Sequence, residues 1–89
     1  MADKLHFSLV SPERELFSGP VDQVDAPGIE GDFGVLAHHA PFMTALKPGV
    51  IRVHNDGGVT AYQIDGGFAD VTPDGFTILA ESAAPTTVQ

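Results

Sequence analysis

The residues most able to do chemistry in this sequence are two carboxylates and two histidines that lie close together. Glu30 and Asp32 are followed within a few positions by His38 and His39. The surrounding stretch, residues 27–49, contains four glycines and three prolines. Glycine permits positive φ and proline fixes φ, so this stretch should fold as shaped loops. Because binding residues often lie on loops held by a rigid scaffold, it is the first candidate for a functional surface.

Metal binding would be the obvious chemistry for these side chains, but their spacing disfavours it. A zinc site needs three or four converging ligands, and the sequence has neither an H-x-x-x-H motif nor a cysteine. On an extended strand, His38 and His39 would point to opposite faces and could not share an ion. The sequence therefore predicts no metal ion, and the histidines are interpreted as buried or interface hydrogen-bonding side chains.

Catalytic motifs are missing as well. No serine lies in a G-x-S-x-G or S-x-x-K pattern. The glycines of residues 28–34 superficially resemble a phosphate loop, but the sequence lacks the Gly-Lys-Ser or Gly-Lys-Thr and the following helix that would hold a phosphate. The sequence therefore predicts no catalytic residue and no cofactor.

Glu30 and Asp32 have a spacing that suits a docking edge. Two residues apart on a strand, their carboxylates would share one face, and the flanking glycines would leave them exposed. Exposed acids are common in proteins and often only solvated. From the residues alone, a solvated loop and a docking edge for a basic partner both remain open.

Alternating apolar and polar residues predict short β-strands, as in residues 5–9. Residues 51–54 and 60–64 flank Asn-Asp-Gly-Gly, whose positive-φ residues suit a tight hairpin turn. Residues 72–75, Thr-Pro-Asp-Gly, suit a type I turn in a second hairpin. Further strands are expected at residues 16–17, 21–26, 33–37, 68–71 and 76–80. Short strands at intervals of about 8 to 12 residues, without a helix-length amphipathic segment, predict an all-β sandwich or barrel.

The bulk composition limits the chain to one small domain. Its 89 residues contain no cysteine, so no disulfide is available. The formal net charge of −8 disfavours nucleic acid and anionic membranes and favours basic partners. No signal sequence opens the chain, and no apolar run approaches the roughly 20 residues of a membrane span, so a soluble protein is predicted. We expect a domain over residues 1–84 and a frayed tail over residues 85–89.

Short motifs follow one another in a characteristic order over residues 5–84. The central ones are Pro-Gly, Gly-Asp-Phe-Gly, His-Ala-Pro and Leu-Lys-Pro-Gly, flanked by Ser-Pro-Glu, Phe-Ser-Gly, Gly-Gly-Phe-Ala-Asp-Val and Thr-Ile-Leu-Ala-Glu-Ser-Ala. Together they resemble the epsilon subunit of the bacterial F-type ATP synthase. The resemblance implies that family's amino-terminal domain, a flattened antiparallel β-sandwich of about ten short strands. A helical hairpin follows it in many members and is absent from these residues.

The same resemblance implies two interfaces. In the family, the Gly-acid-apolar-Gly loop meets the membrane rotor ring, the c-ring, which implies this role for Glu30, Asp32 and Phe33. The His-Ala-Pro region packs against the gamma subunit and the rotor foot. The residues implied for that interface are Ser11, His38, His39, Ala40, Pro41 and Phe42. His38 stands where many relatives have a small residue, usually glycine.

The role implied for the chain is that of a non-catalytic rotor subunit that docks gamma onto the c-ring and couples proton flow to ATP synthesis. Its place would be peripheral, at the cytoplasmic face of the bacterial inner membrane, in a hetero-oligomer without direct lipid insertion. Two alternatives are a small-ligand-binding β-barrel, which needs an interior pocket, and a cupin-like metal enzyme, which needs converging histidines. Phe42, Met43 and Leu46 are assigned to the core in preference to an interface.

Overall fold

The computed structural model describes residues 3–87, which form eight β-strands and, within that range, no helix. In chain order the strands are β1 (Leu5–Val10), β2 (Glu15–Val21), β3 (Gln23–Gly28), β4 (Gly31–Leu36), β5 (Phe42–Asn55), β6 (Gly58–Thr72), β7 (Gly75–Ala80) and β8 (Ala83–Thr86). The all-β prediction is confirmed. The strands are fewer than the ten expected because β5 and β6 are single strands of 14 and 15 residues.

The strands belong to one sheet that folds over on itself. Its order is β2-β1-β7-β6-β5-β3-β4, with β8 paired to β6. Neighbours are antiparallel except β1 and β7, which are parallel. Phe33 of β4 and Phe76 of β7 lie far apart in this order, yet their ring centroids are 6.4 Å apart. The two halves of the sheet therefore face each other across a shared core.

The hairpin of β5 and β6 forms as the sequence predicts. Asn55 pairs with Gly58, which leaves a two-residue turn. In that turn Asp56 has φ of 53° and Gly57 has φ of 83°. Positive φ at both central positions matches the twist of the flanking strands, which is why Asp-Gly is favoured there. The second hairpin, of β6 and β7, also forms, with Thr72 paired to Gly75.

A double glycine divides β6 into two parts. Gly66 has φ of 101° and Gly67 has φ of 150°. Before them β6 pairs with β8, and from Gly67 onward it pairs with β7. A Cβ on Gly67 would collide with the carbonyl oxygen of Leu79. Glycine is therefore required where β6 changes partner, because the backbones approach too closely for any side chain.

The core is built from the inward-facing residues of both halves of the sheet. The largest fully buried side chains are Phe7, Phe76, Leu9, Ile51, Ile64, Ile78, Val21, Val24 and Val35. Phe7 contacts Phe17 and Phe76 at ring-centroid distances of 5.7 and 5.4 Å. No polar or charged side chain of the described residues is buried. The core is thus made of aliphatic and aromatic side chains, with Tyr62 as the member that carries a hydroxyl group.

One expectation differs from the structure. Pro85 and Thr86 were expected in a frayed tail, but they lie in β8 and pair with Tyr62 and Ala61. Because β7 pairs only with the part of β6 from Gly67 onward, the backbone of the earlier part of β6 is available on that side to form hydrogen bonds with β8. Residues 88 and 89 of the expected tail lie outside the described residues. No helix in the described chain has the length and apolar character needed to cross a membrane.

Candidate functional site

The β3–β4 hairpin ends in an acidic tip, which we define as residues 29–32. Ile29 and Glu30 form its turn, and Asp32 is the second residue of β4. The backbone N–H of Ile29 donates a hydrogen bond of 3.1 Å to the carbonyl oxygen of Ala45 on β5. The tip is thereby fixed to the long strand at its base, while the side chains of Ile29, Glu30 and Asp32 are exposed.

The two carboxylates of the acidic tip are almost free of partners in the described chain. The Lys47 Nζ lies 3.8 Å from the Asp32 Oδ1, and both side chains are more than half exposed. An exposed pair at this distance contributes little to stability, roughly 0 to 1 kcal/mol. The tip therefore keeps most of its negative potential and remains available to a basic surface. Exposure of Glu30 and Asp32 agrees with the sequence interpretation.

Phe33 connects the acidic tip to the core. It is half-buried, and its ring makes edge contact with Phe42 at a centroid distance of 5.3 Å. Its contact with Phe76 continues into the buried cluster. Phe33, Phe42 and the tip acids line one open groove with Met43 and Thr44. An aromatic wall beside exposed acids can accept a partner that offers both apolar and basic groups.

Residues 38–42, which we call the histidine shoulder, run from the connection after β4 into the first residue of β5. His38 has φ of 65°, a conformation in which glycine is unstrained and a side chain is not. Its Nε2 lies 2.5 Å from the Asp3 Oδ2, and both side chains are exposed. His39 packs its ring against Phe42 at 5.4 Å. His38 thus lies in a turn and His39 in the loop that follows it. The argument against a shared ion assumed that both lie on an extended strand, and this assumption was wrong.

The structure brings only part of the predicted gamma interface together. His38 and His39 line a small depression with His6 and the β6–β7 turn. Phe42 lines the groove of the acidic tip instead. Ser11 lies at the β1–β2 turn, where its hydroxyl donates to the Arg14 carbonyl oxygen at 3.2 Å, and it lines a separate apolar depression. Three separate depressions thus hold His38 with His39, Phe42, and Ser11, and none of the three is lined by Ala40 or Pro41.

Sequence reasoning missed an apolar row across the outer face of the sheet, formed by Val10, Ala45, Phe68 and Leu79. Phe68 pairs with both Ala45 and Leu79, and Leu79 pairs with Val10. Phe68 is 58% exposed and Leu79 is 56% exposed. The sequence did carry a signal: these strands have apolar residues at successive positions, so that both faces are apolar, although one apolar face is enough to fill the core. Met43 is also outward, 69% exposed, so its assignment to the core was wrong.

A separate ionic cluster ties the β5–β6 turn to the start of the chain. The Lys4 Nζ lies 2.7 Å from the Asp22 Oδ1 and 3.0 Å from the Asp56 Oδ1. The hydrogen bond from Lys4 lowers the pKa of the Asp22 carboxyl below its ordinary value, and a bond from the Asp56 amide acts in the same direction. The bond to Asp22 raises the pKa of Lys4. The cluster holds the turn and does not touch the acidic tip.

The alternatives of a ligand barrel and a cupin find no support. Among residues 3–87, no group of three or more His, Cys, Asp or Glu side chains could hold a metal ion. The space between the two halves of the sheet is occupied by the packed apolar cluster. The surface instead offers an acidic tip, a histidine shoulder and an apolar row, which suit macromolecular contacts better than a small molecule.

Comparisons with known proteins identify the family of this chain. A family model described as the beta-sandwich domain of the ATP synthase delta/epsilon chain matches residues 4–86. The chain is 69% identical over 85 residues to the ATP synthase epsilon chain of Hyphomonas neptunium, an alignment that covers 93% of this chain and 62% of that relative. It is 66% identical over 80 residues to that of Caulobacter vibrioides, covering 90% of this chain and 93% of that relative.

Solved structures show the same fold. A chain of the Euglena gracilis mitochondrial ATP synthase, OSCP/F1/c-ring in rotational state 1, superposes with a TM-score of 0.88 at 28% identity, covering 96% of this chain and 55% of that chain. A chain of the Tetrahymena thermophila mitochondrial ATP synthase central stalk and c-ring superposes with a TM-score of 0.78 at 18% identity, a likeness of fold alone. Given the match of the family model over residues 4–86, this chain belongs to the ATP synthase delta/epsilon family and contains its beta-sandwich domain.

Proposed function

We propose that this chain is a non-catalytic central-stalk subunit of a proton-translocating F-type ATP synthase. It docks the gamma subunit onto the c-ring and so couples proton flow to ATP synthesis. The observation that carries the proposal is the family match over residues 4–86, together with high identity to curated epsilon chains. Its place is peripheral, at the cytoplasmic face of the bacterial inner membrane, as part of a hetero-oligomer without lipid insertion.

The acidic tip is proposed as the contact with the c-ring. Glu30 and Asp32 are exposed carboxylates on a turn that is hydrogen-bonded to β5, and Phe33 anchors that turn to the core. Because this turn is hydrogen-bonded to β5 and anchored by Phe33, the paired strands behind it resist bending when a partner pushes on the turn from the side. Ile29, which is 58% exposed and precedes Glu30 in the turn, adds an apolar contact that the sequence interpretation did not include.

The histidine shoulder is proposed as part of the contact with gamma or the rotor foot. These contacts are His38, His39, Ala40 and Pro41 in the β4–β5 connection and Phe42 at the start of β5, where the ring of His39 packs on Phe42. Ser11 is proposed as a further contact, at the β1–β2 turn beyond the far end of β1. The ring of Phe42 contacts both His39 and Phe33, and Phe33 directly follows the acidic tip in β4. These ring contacts therefore connect the two proposed interfaces through packed side chains.

Charge reversal at the acidic tip tests the proposal. We expect Asp32→Arg to leave the free domain folded, because the side chain is exposed, and to loosen the joint to a basic loop of the c-ring. Like charges across an interface can cost several kcal/mol, and rim charges act mainly on association and its salt dependence. The measurements are ATP-driven proton pumping and retention of this chain on the complex at rising salt, beside thermal melting of the free domain.

A matched control separates the local effect from added charge. Thr60→Arg places the same cation at an exposed position near the β5–β6 turn, away from the acidic tip. We expect Thr60→Arg to pump and to stay bound like the parent, while Asp32→Arg loses coupling. Unchanged pumping and unchanged retention in Asp32→Arg would remove this residue from the contact. Failure of the parent chain to copurify with any gamma subunit would reject the rotor function.

A further inference from the structure

Aspartate followed by glycine occurs three times in this chain, at Asp56-Gly57, Asp65-Gly66 and Asp74-Gly75. Such a pair can rearrange without an enzyme, because glycine has no side chain to hinder attack by its backbone nitrogen. The nitrogen bonds to the aspartate Cγ, and the side-chain hydroxyl leaves as water with the proton of the N–H. Water then opens the succinimide ring at either carbonyl and gives aspartate or isoaspartate. In isoaspartate the main chain runs through Cγ and is one carbon longer, and the mass is unchanged.

The fold requires glycine in all three pairs. Gly57, Gly66 and Gly75 have φ of 83°, 101° and 155°, values at which other residues are strained. A Cβ on Gly75 would also collide with the carbonyl oxygen of His6. The three reactive pairs are therefore a consequence of the backbone conformation, and they differ in how firmly the structure holds each aspartate.

Two of the three aspartates are bonded to distant parts of the chain. The N–H of Asp56 donates to the Asp22 Oδ2 at 2.8 Å, and its Oδ1 accepts from the Lys4 Nζ at 3.0 Å. Asp65 lies within β6, and its N–H donates to the carbonyl oxygen of Ser82 at 3.2 Å. The glycine nitrogen reaches Cγ only when the aspartate rotates its backbone and side chain. At these two sites the hydrogen bonds to the rest of the domain have to break first.

The hydrogen bonds of Asp74, in contrast, stay within its own turn. Its N–H donates to the Thr72 Oγ1 at 3.2 Å, and the Thr72 hydroxyl donates to the Gly75 carbonyl oxygen at 3.4 Å. In the part of the chain that the structure describes, the exposed Asp74 carboxylate has neither a hydrogen bond nor an ion pair. A segment with few bonds to the rest of a domain opens at a low free energy. Asp74 is thus the aspartate freest to rotate toward the following nitrogen.

We propose that Asp74-Gly75 is a site of spontaneous isoaspartate formation and that Lys4 protects Asp56-Gly57 from the same reaction. The proposal is independent of the rotor function. Lys4 protects because its ammonium holds the Asp56 carboxylate in the ionic cluster. The Asp74 turn lines the same depression as His38 and His39, so the added backbone carbon changes the edge of the histidine shoulder.

Incubation of the purified chain in water enriched in heavy oxygen tests the proposal, because each opening of a succinimide ring adds one labelled oxygen atom. Electron-transfer mass spectrometry locates the isoaspartate, as does a protease that cuts before aspartate and not before isoaspartate. We expect isoaspartate to form at residue 74 on the order of tenfold faster than at residues 56 and 65, because further hydrogen bonds must break at those two sites. In urea, where the fold is lost, the three rates should become similar.

Two variants test the chemistry and the protection. Asp74→Glu keeps the charge but cannot form the five-membered ring, so the product at residue 74 should disappear. Lys4→Gln removes the ammonium and should raise the rate at residue 56 several-fold, with the rates at residues 65 and 74 unchanged. An unchanged rate at residue 56, or an equal rise at all three sites, would overturn the protective role of Lys4. Formation at residue 56 or 65 as fast as at residue 74 in the folded chain, or the same ranking of rates in urea, would overturn the assignment of Asp74.

Discussion

Replacing Asp56 by proline should destabilise the domain through the turn of its longest hairpin. Asp56 has φ of 53°, whereas a proline ring holds φ near −65°. The substitution also removes the N–H that donates to the Asp22 Oδ2 at 2.8 Å and the carboxylate that accepts from Lys4. A residue forced out of its backbone region costs about 1 to 3 kcal/mol. For a domain of this size, about 2 kcal/mol lowers the melting temperature by roughly 8–16 °C.

Thermal melting followed by circular dichroism measures this effect, with Asp56→Asn as the matched control. Asparagine tolerates positive φ and keeps the backbone donor, and Asn-Gly is a favoured type I′ pair. We expect Asp56→Asn to melt within a few degrees of the parent, since it loses only an exposed ion pair with Lys4. A proline variant that melted within one degree of the parent would refute the idea that this turn sets the register of β5 and β6.

Four further outcomes are expected. Because the pKa of Asp22 is lowered, its pairing with Lys4 stabilises the fold above the ordinary carboxyl pKa of 3.8, and this contribution is lost as the pH falls through the lowered value. The difference in unfolding free energy between the parent and Asp22→Asn, measured by denaturant titration at successive pH values, should therefore shrink in acid. Gly67→Ala should destabilise strongly, because a Cβ meets the Leu79 carbonyl, whereas Gly58→Ala, with its nearest atom at 3.6 Å, should melt near the parent. Ile51→Val should cost about 1 kcal/mol by urea denaturation, the usual price of one buried methylene. Isothermal calorimetry of the isolated domain with ATP or zinc should show no saturable micromolar binding, and binding abolished by changing His38 or His39 would contradict the interpretation of those histidines.

Local chemistry made several features of this protein predictable from sequence. The Asp56-Gly57 turn follows from its residue types, because positive φ at two successive positions is available to few other pairs. The all-β class follows from period-two alternation, since side chains on a strand point to alternate faces. Exposure of Glu30 and Asp32 follows because a charged group beside a turn has no reason to leave water. Each of these depends on residues that are close in the chain.

Features that depend on pairing between distant segments required the tertiary structure. The sequence could not tell that β1 runs parallel to β7, or that β6 changes partner at Gly67. It could not separate Met43 from Leu46, one exposed and one buried, because both are apolar residues near the start of the same long strand. Pro85 and Thr86 were predicted to lie in a frayed tail because no nearby residue indicates that the backbone of β6 is available to pair with them.

The surfaces divide in the same way. The acidic tip is a contiguous segment, so its residues and their chemistry are visible in the sequence. The apolar row is assembled from four strands, and Val10, Ala45, Phe68 and Leu79 become neighbours only when the register aligns them. A one-residue slip in any of these pairings would turn an outward side chain into the core. Sequence thus determined which turns and charges this protein carries, whereas strand register, set by packing of the shared core, decided which apolar side chains remain in solvent.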